Sequence, residues 1–352
     1  MGRIVKLGIV FALISAGLFG ASTPLAKLLL GAIDPWMMAG LLYLGAGAGL
    51  AAVHLSRAAL RLPAVEAPLR RTDVPWLTLV ILAGGILGPF LLMFGLARTD
   101  AASASLLLNL EGVATMAIAW IAFRENVDRR LLLGALAILA GAALLSWQGR
   151  ATLDLGAMLI ADACLCWGID NNLTRKLSSV DPLQIAMLKG LIAGTINLVI
   201  ALGHGAAFPS AGAVVAAAVV GFFGYGISLA LFVLALRHLG TARTGAYFSL
   251  APFVGALLAI ALLGEALTPQ LVIAGLFMAL GLWLHLSEQH EHEHAHEALE
   301  HEHRHRHDAH HQHSHAPGTP LGEPHSHWHS HAPMVHRHPH YPDIHHRHGH
   351  GA

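Results

Sequence analysis

Four ionisable side chains, Glu111, Asp162, Asp170 and Lys189, fall inside otherwise apolar runs of this chain. A charge at membrane depth costs about 3 kcal/mol or more, so such residues are rare without a role. Glu111 stands near the middle of its run. It suits proton coupling or cation binding; the alternative is a structural ion pair, or an acid hydrogen-bonded to a neighbouring helix. Thr115, one turn on, shares its helical face, whereas Asn109 does not. Asp162, Cys166 and Asp170 are spaced i, i+4, i+8 and form one stripe that drifts by about 80° along a helix. Two carboxylates and a thiol in a stripe, joined by Glu111, could serve a borderline divalent cation. The alternative places Asp162 at the water interface and makes Cys166 a small packed hydrophobe. Asp170, Asn171 and Asn172 make a polar cluster suited to lining a path. Lys189 could neutralise Glu111 or Asp170, hold an anionic group, or snorkel to the interface.

The second chemistry-bearing set is the stretch 287–352, which holds 23 of the 27 histidines. It includes His292 and His294; His301, His303, His305 and His307; and His345, His346 and His348. Neutral imidazole is a common ligand for Ni, Co, Zn and Cu, and a His-x-His chain reaches many coordination geometries. Pro and Gly interrupt the stretch and no apolar period builds a core, so it reads as a disordered, His-rich C-terminal tail. It could deliver or sense a metal, buffer one, or respond to pH as a polycation. The lone His54, His204, His238 and His285 sit at the ends of apolar runs, where an interfacial role is expected.

Positioning these residues requires membrane helices. The chain is 55% hydrophobic and 12% charged, with a mean hydropathy of +0.58; soluble domains carry roughly twice that charge. Ten apolar runs, at about Leu7–Leu30, Pro35–Leu55, Val74–Ala97, Ala101–Phe123, Leu131–Trp147, Leu155–Leu173, Pro182–Leu202, Ala211–Leu236, Thr244–Gly264 and Leu271–Leu286, approach the ~20 residues needed to cross a bilayer. The fourth and ninth align at a constant offset, ending in Phe123-Arg124-Glu125 and Leu263-Gly264-Glu265. Asp34-Pro35 and Asp181-Pro182 open the second and seventh, a further match. Five spans per copy put the second copy upside down relative to the first, the build of secondary transporters with a site near the midplane. The expected fold is therefore all-α and integral to the membrane: ten transmembrane helices as two inverted five-helix repeats, 4–148 and 154–286, followed by the tail 287–352.

With a cytoplasmic N-terminus, 13 Lys and Arg residues outside the tail fall on the cytoplasmic side against Lys27, Arg98 and Arg150 outside. That predicts a multi-pass protein of the inner (plasma) membrane with both termini in the cytoplasm. Cys164 and Cys166 point to nearly opposite sides of one helix, so no disulfide joins them. No cleavable signal peptide is evident, since Leu7–Ala26 is too long for a signal core. No nucleophile–base pair, phosphate loop or HExxH motif appears, so an enzyme is not expected.

The paired helix ends, Leu250-Ala251-Pro252 and the duplicated five-span halves resemble the drug/metabolite transporter superfamily, in its form with two tandem EamA domains. The resemblance covers about residues 4–286. It implies proton- or gradient-coupled export or exchange of small solutes and no required cofactor, and it does not imply a substrate. Family members often carry Pro in the middle of the fourth helix, as Pro252 stands in the ninth; here Leu110-Glu111-Gly112 takes that place. The function expected is secondary active export. The substrate is a divalent transition metal (Ni, Co or Zn) collected by the tail, or a small organic metabolite such as an amino acid with the tail regulatory. A membrane metal sensor that transports nothing is a third class. Expected partners are the lipid bilayer, the solute or metal ion, a coupling proton and a second copy of the chain; nucleic acid is not among them.

Overall fold

The computed structural model describes residues 2–60, 69–123, 127, 129–147, 154–174, 177, 181–239, 241–286, 290–296, 299–305, 325–331 and 334–340. Within 2–286 the elements are helical: α1 (Gly2–Leu30), α2 (Pro35–Ala59), α3 (Val74–Val80), α4 (Gly88–Arg98), α5 (Ala101–Leu107), α6 (Leu110–Phe123) and α7 (Arg129–Leu145). After these come α8 (Leu155–Thr174), α9 (Pro182–Gly203), α10 (Ala211–Gly221), α11 (Ser228–Leu239), α12 (Thr241–Phe248), α13 (Ala251–Leu263) and α14 (Pro269–Leu286). Among the described residues, seven helical segments are long and apolar enough to cross a membrane, and Ala251–Leu263 is a shorter apolar helix. The expected fifth and sixth spans are not among the seven. The fifth, α7, has 17 residues, and the sixth, α8, carries Asp162, Asp170, Asn171 and Asn172 within 20 residues.

The helices interleave rather than segregate. α1 packs against α11 and α13, and α8 packs against α4 and α6. α2 lies along α9, and α7 along α14. Each copy's first helix thus nests against the third and fourth spans of the other copy.

Two irregularities recur at matched positions. The third and eighth spans each contain a π-helical stretch, Ile81–Leu87 between α3 and α4 and Phe222–Ile227 between α10 and α11. Such wide turns free backbone carbonyls for other donors and are frequent at functional sites. The fourth and ninth spans are each broken, between α5 and α6 at Leu108–Asn109 and between α12 and α13 at Ser249–Leu250. In the ninth, Pro252 sits at the start of α13, where its missing N–H costs nothing. The fourth breaks without a proline. Asn109 N donates to Leu106 O at 3.0 Å and Glu111 N to Leu108 O at 3.1 Å, the tighter three-residue spacing. The Asn109 side chain also donates to Leu106 O at 2.8 Å, a local bond that competes with the helical ladder. The missing proline therefore does not mark a missing bend.

Four segments of the tail are described. His290–His296 pairs antiparallel with Met334–His340, and Leu299–His305 with His325–His331. The register sets His292 opposite His338, His294 opposite His336, His301 opposite His329, His303 opposite His327 and His305 opposite His325. An alternating His-x-His pattern has the period of a strand. His307, His345, His346 and His348 lie outside the described residues.

Candidate translocation site

The central polar cluster is built by α6, α8 and α9 around the π-helical stretch 81–87. Asp170 is 5% exposed and forms an ion pair with Lys189. Thr174, one turn along α8, donates to the other Asp170 oxygen at 3.2 Å. The pair is made possible by Gly84 and Gly85. A Cβ on Gly84 would occupy the position of the Asp170 carboxylate, and one on Gly85 would press on Ala193 Cβ at 2.8 Å and Lys189 Cγ at 3.2 Å. The two bare Cα atoms form the floor on which the ion pair rests.

The carbonyls of the same two glycines are held from outside their own helix. Gly84 O accepts from Tyr43 Oη at 2.8 Å and from Trp167 Nε1 at 3.0 Å. Gly85 O accepts from Asn197 Nδ2 at 3.2 Å, and Asn197 Oδ1 in turn accepts from Trp36 Nε1 at 3.2 Å. A buried carbonyl without a partner is expensive in lipid, so these side chains stabilise the wide turn. Tyr43 lies beside Tyr225 of the second copy, ring centroids 5.8 Å apart.

Glu111 is the second node. The break at Leu108–Asn109 places it in the first turn of α6, where the positive end of the helix dipole favours a carboxylate. Asn171 Nδ2 donates to Glu111 Oε1 at 2.9 Å and to Thr115 Oγ1 at 3.2 Å. Asn172 Nδ2 donates to Thr115 O at 3.0 Å and Gly168 O at 2.8 Å, and its buried Oδ1 has no hydrogen-bond partner. Those two carbonyl acceptors fix the orientation of the amide.

Of the residues singled out from sequence, Glu111, Asp170, Asn171, Asn172, Lys189 and Thr115 are thus brought together. Asp162 and Cys166 are not part of that network: Asp162 is exposed and Cys166 partly buried on the same helix. Among the described residues no group of three or more His, Cys, Asp or Glu side chains is placed to hold a metal ion. The Asp162–Cys166–Asp170 stripe drifts round α8 as it runs along it, and Asp170 is already engaged by Lys189. Tyr43, Trp36, Trp167, Asn197 and the Gly84-Gly85 floor were not anticipated. Nothing in the sequence marks the Gly-Gly pair for this role, because a π turn has no side-chain signature.

At the far end of the bundle, Glu265 follows Gly264, whose φ of 67° closes α13 in the left-handed region that favours glycine. Glu265 Oε1 and Oε2 accept from Ala101 N and Ala102 N, each at 2.7 Å. Glu125, its match in the first copy, lies outside the described residues.

Comparison with known proteins agrees with this architecture. The model of the EamA-like transporter family matches residues 6–147 and again 154–287. An uncharacterized transporter of Methanothermobacter thermautotrophicus is 29% identical, over 76% of this chain and 82% of its own length. A solved crystal structure superposes with a TM-score of 0.57 at 20% identity, covering 80% of this chain and 95% of the other; that likeness speaks to the fold alone. Two tandem matches across the helical part, over a bundle whose irregular turns and broken helices recur in each copy, place this multi-pass membrane protein in the EamA-like transporter family.

Proposed function

We propose that the chain is a secondary transporter that exports a small organic solute carrying both charges, such as an amino acid, by alternating access between two inverted halves of five spans each. The observation that carries this reading is the pairing of Asp170 with Lys189 beside Glu111 and Asn171. A zwitterion entering between them exchanges one internal ion pair for two, its carboxylate meeting the Lys189 ammonium and its ammonium meeting Asp170 or Glu111. Charges buried in lipid need partners of opposite sign, and such a solute supplies both. Glu111, which among the described residues accepts from the Asn171 amide and not from a cation, also serves as the acceptor of a coupling proton. The Lys and Arg bias supports an inner-membrane location with both termini in the cytoplasm.

The His-rich tail favours a second reading, efflux of Ni, Co or Zn collected on the cytoplasmic side. It finds less support in the helical part, where no three-ligand group is placed for a metal among the described residues. Counterflow in proteoliposomes separates the two. The full-length protein and a version ending at Leu286 are each tested with amino acid pools and with Ni, Co and Zn. Saturable amino acid counterflow in both versions, lost in Lys189→Met, is expected. Saturable metal accumulation by the shortened version, with no organic solute carried, overturns the proposal.

A further inference from the structure

We infer that the Glu265 carboxylate is a gate contact that holds one mouth of the translocation path shut, and that this mouth opens when its bonds to Ala101 N and Ala102 N break. The inference rests on the transporter reading above.

The bonds join opposite halves of the molecule: Glu265 stands at the end of the ninth span and α5 begins the fourth. The first N–H groups of a helix have no partner within it, and a carboxylate that accepts them makes short, charge-assisted bonds. Asp100 caps the same turn from within its own copy, accepting from Ser103 N at 2.8 Å. That local cap lets α5 persist when Glu265 leaves, so the inter-repeat contact can break without unwinding the helix.

The surroundings divide into two sides. On one lies a cavity of about 500 Å³ lined by Arg98, Ser103, Trp147, Glu265 and Gln270 among others. On the other lies the Glu111 cluster. α5 separates them, and its seven residues span about 10 Å at 1.5 Å per residue. α5 is buried along its whole length, packed against α1, α8, α13 and α14. Ser105 fits against the bare Cα of Gly255 on α13.

The matching segment of the other copy behaves differently. α12 packs against α1 and α11, and among the described residues it makes no comparable contact with α6, α7 or α8. Among the described residues, then, α5 is held more closely by the opposite copy than α12 is. Two related halves in unequal contact are what alternating access requires of a single state. Asp154, which accepts from Thr99 Oγ1 at 3.2 Å, and Glu265 are both carboxylates of the second copy that reach the first copy at the α5 end. Glu265 is the one that holds the backbone of α5 itself, and breaking its contact is the step that joins the cavity to the central cluster.

The test uses full-length protein in nanodiscs with Cys164→Ser and Cys166→Ala. Spin labels are placed at Ala97→Cys on α4 and Leu267→Cys beyond α13, both exposed positions. Inter-label distances need no substrate. Glu265→Ala is expected to raise the ratio of a longer-distance population to the wild-type one by about tenfold, the scale of losing charge-assisted bonds. Glu265→Gln keeps an acceptor oxygen and is expected to shift the ratio less, in the same direction. If Glu265→Ala does not insert, Glu265→Gln decides. Wild-type distances in every correctly inserted variant overturn the gate. A shift in distances without amino acid counterflow leaves the gate standing and overturns the substrate; counterflow without a shift does the reverse.

Discussion

Asn171 Nδ2 stands 2.9 Å from Glu111 Oε1, so the residue next to Asp170 on α8 ties the broken fourth span to the helix that carries the ion pair with Lys189. The two carboxylates therefore stand in neighbouring hydrogen-bonded groups that share the backbone of α8.

Glu111→Gln removes a charge but keeps an oxygen that can accept from Asn171. The variant is expected to insert and to unfold within about 1 kcal/mol of wild type, the worth of one ordinary hydrogen bond, while transport falls to background. Counterflow alongside thermal unfolding in detergent checks it. Full transport removes Glu111 from the site.

Lys189→Met leaves Asp170 buried and unpaired. Breaking one member of a buried pair costs about 3–5 kcal/mol, so a large fall in thermal stability is expected. Adding Asp170→Asn should restore most of the stability without restoring transport. Restored transport in the double variant would show that the pair serves the fold and not the solute.

Gly84→Ala reverses the usual sign of a glycine substitution. In a helix, alanine is normally favoured over glycine by about 1 kcal/mol. Here the added methyl claims the space of the Asp170 carboxylate, and overpacking costs about 1–3 kcal/mol. Lower stability with reduced transport is the expected outcome; a stabilised, fully active variant would remove the glycine floor from the account.

Ending the chain at Leu286 removes 23 histidines. Retention on an immobilised nickel column should be lost, and amino acid counterflow should keep its initial rate within about twofold. A collapse of counterflow would tie the tail to transport itself.

Much of the helical layout was legible because burial in lipid leaves a coarse imprint. A run of about 20 apolar residues has few other uses, and the repeat showed in paired ends such as Leu263-Gly264-Glu265 and Phe123-Arg124-Glu125. Glu111, Asp170 and Lys189 stood out for the same reason, as charges where charges are expensive. Thr115 was placed on the face of Glu111 by helical spacing, and Asn171 reaches both. What escaped the sequence were features held by backbone geometry. The π turns leave no pattern in Ile81–Leu87 or Phe222–Ile227, and the break before Glu111 forms without the proline that signals it in the ninth span.

By itself, then, the chain determined that it is a duplicated set of membrane helices with buried charges, because hydrophobicity and spacing are properties of composition along a line. Only the tertiary structure decided which charges meet. Lys189 had two candidate partners on paper and takes Asp170, because Gly84 and Gly85 open a floor for that carboxylate, and Glu111 is taken instead by an amide from α8. Asp162, four residues from Cys166, stays outside the network, because a stripe on one helix becomes a site only where other helices close over it.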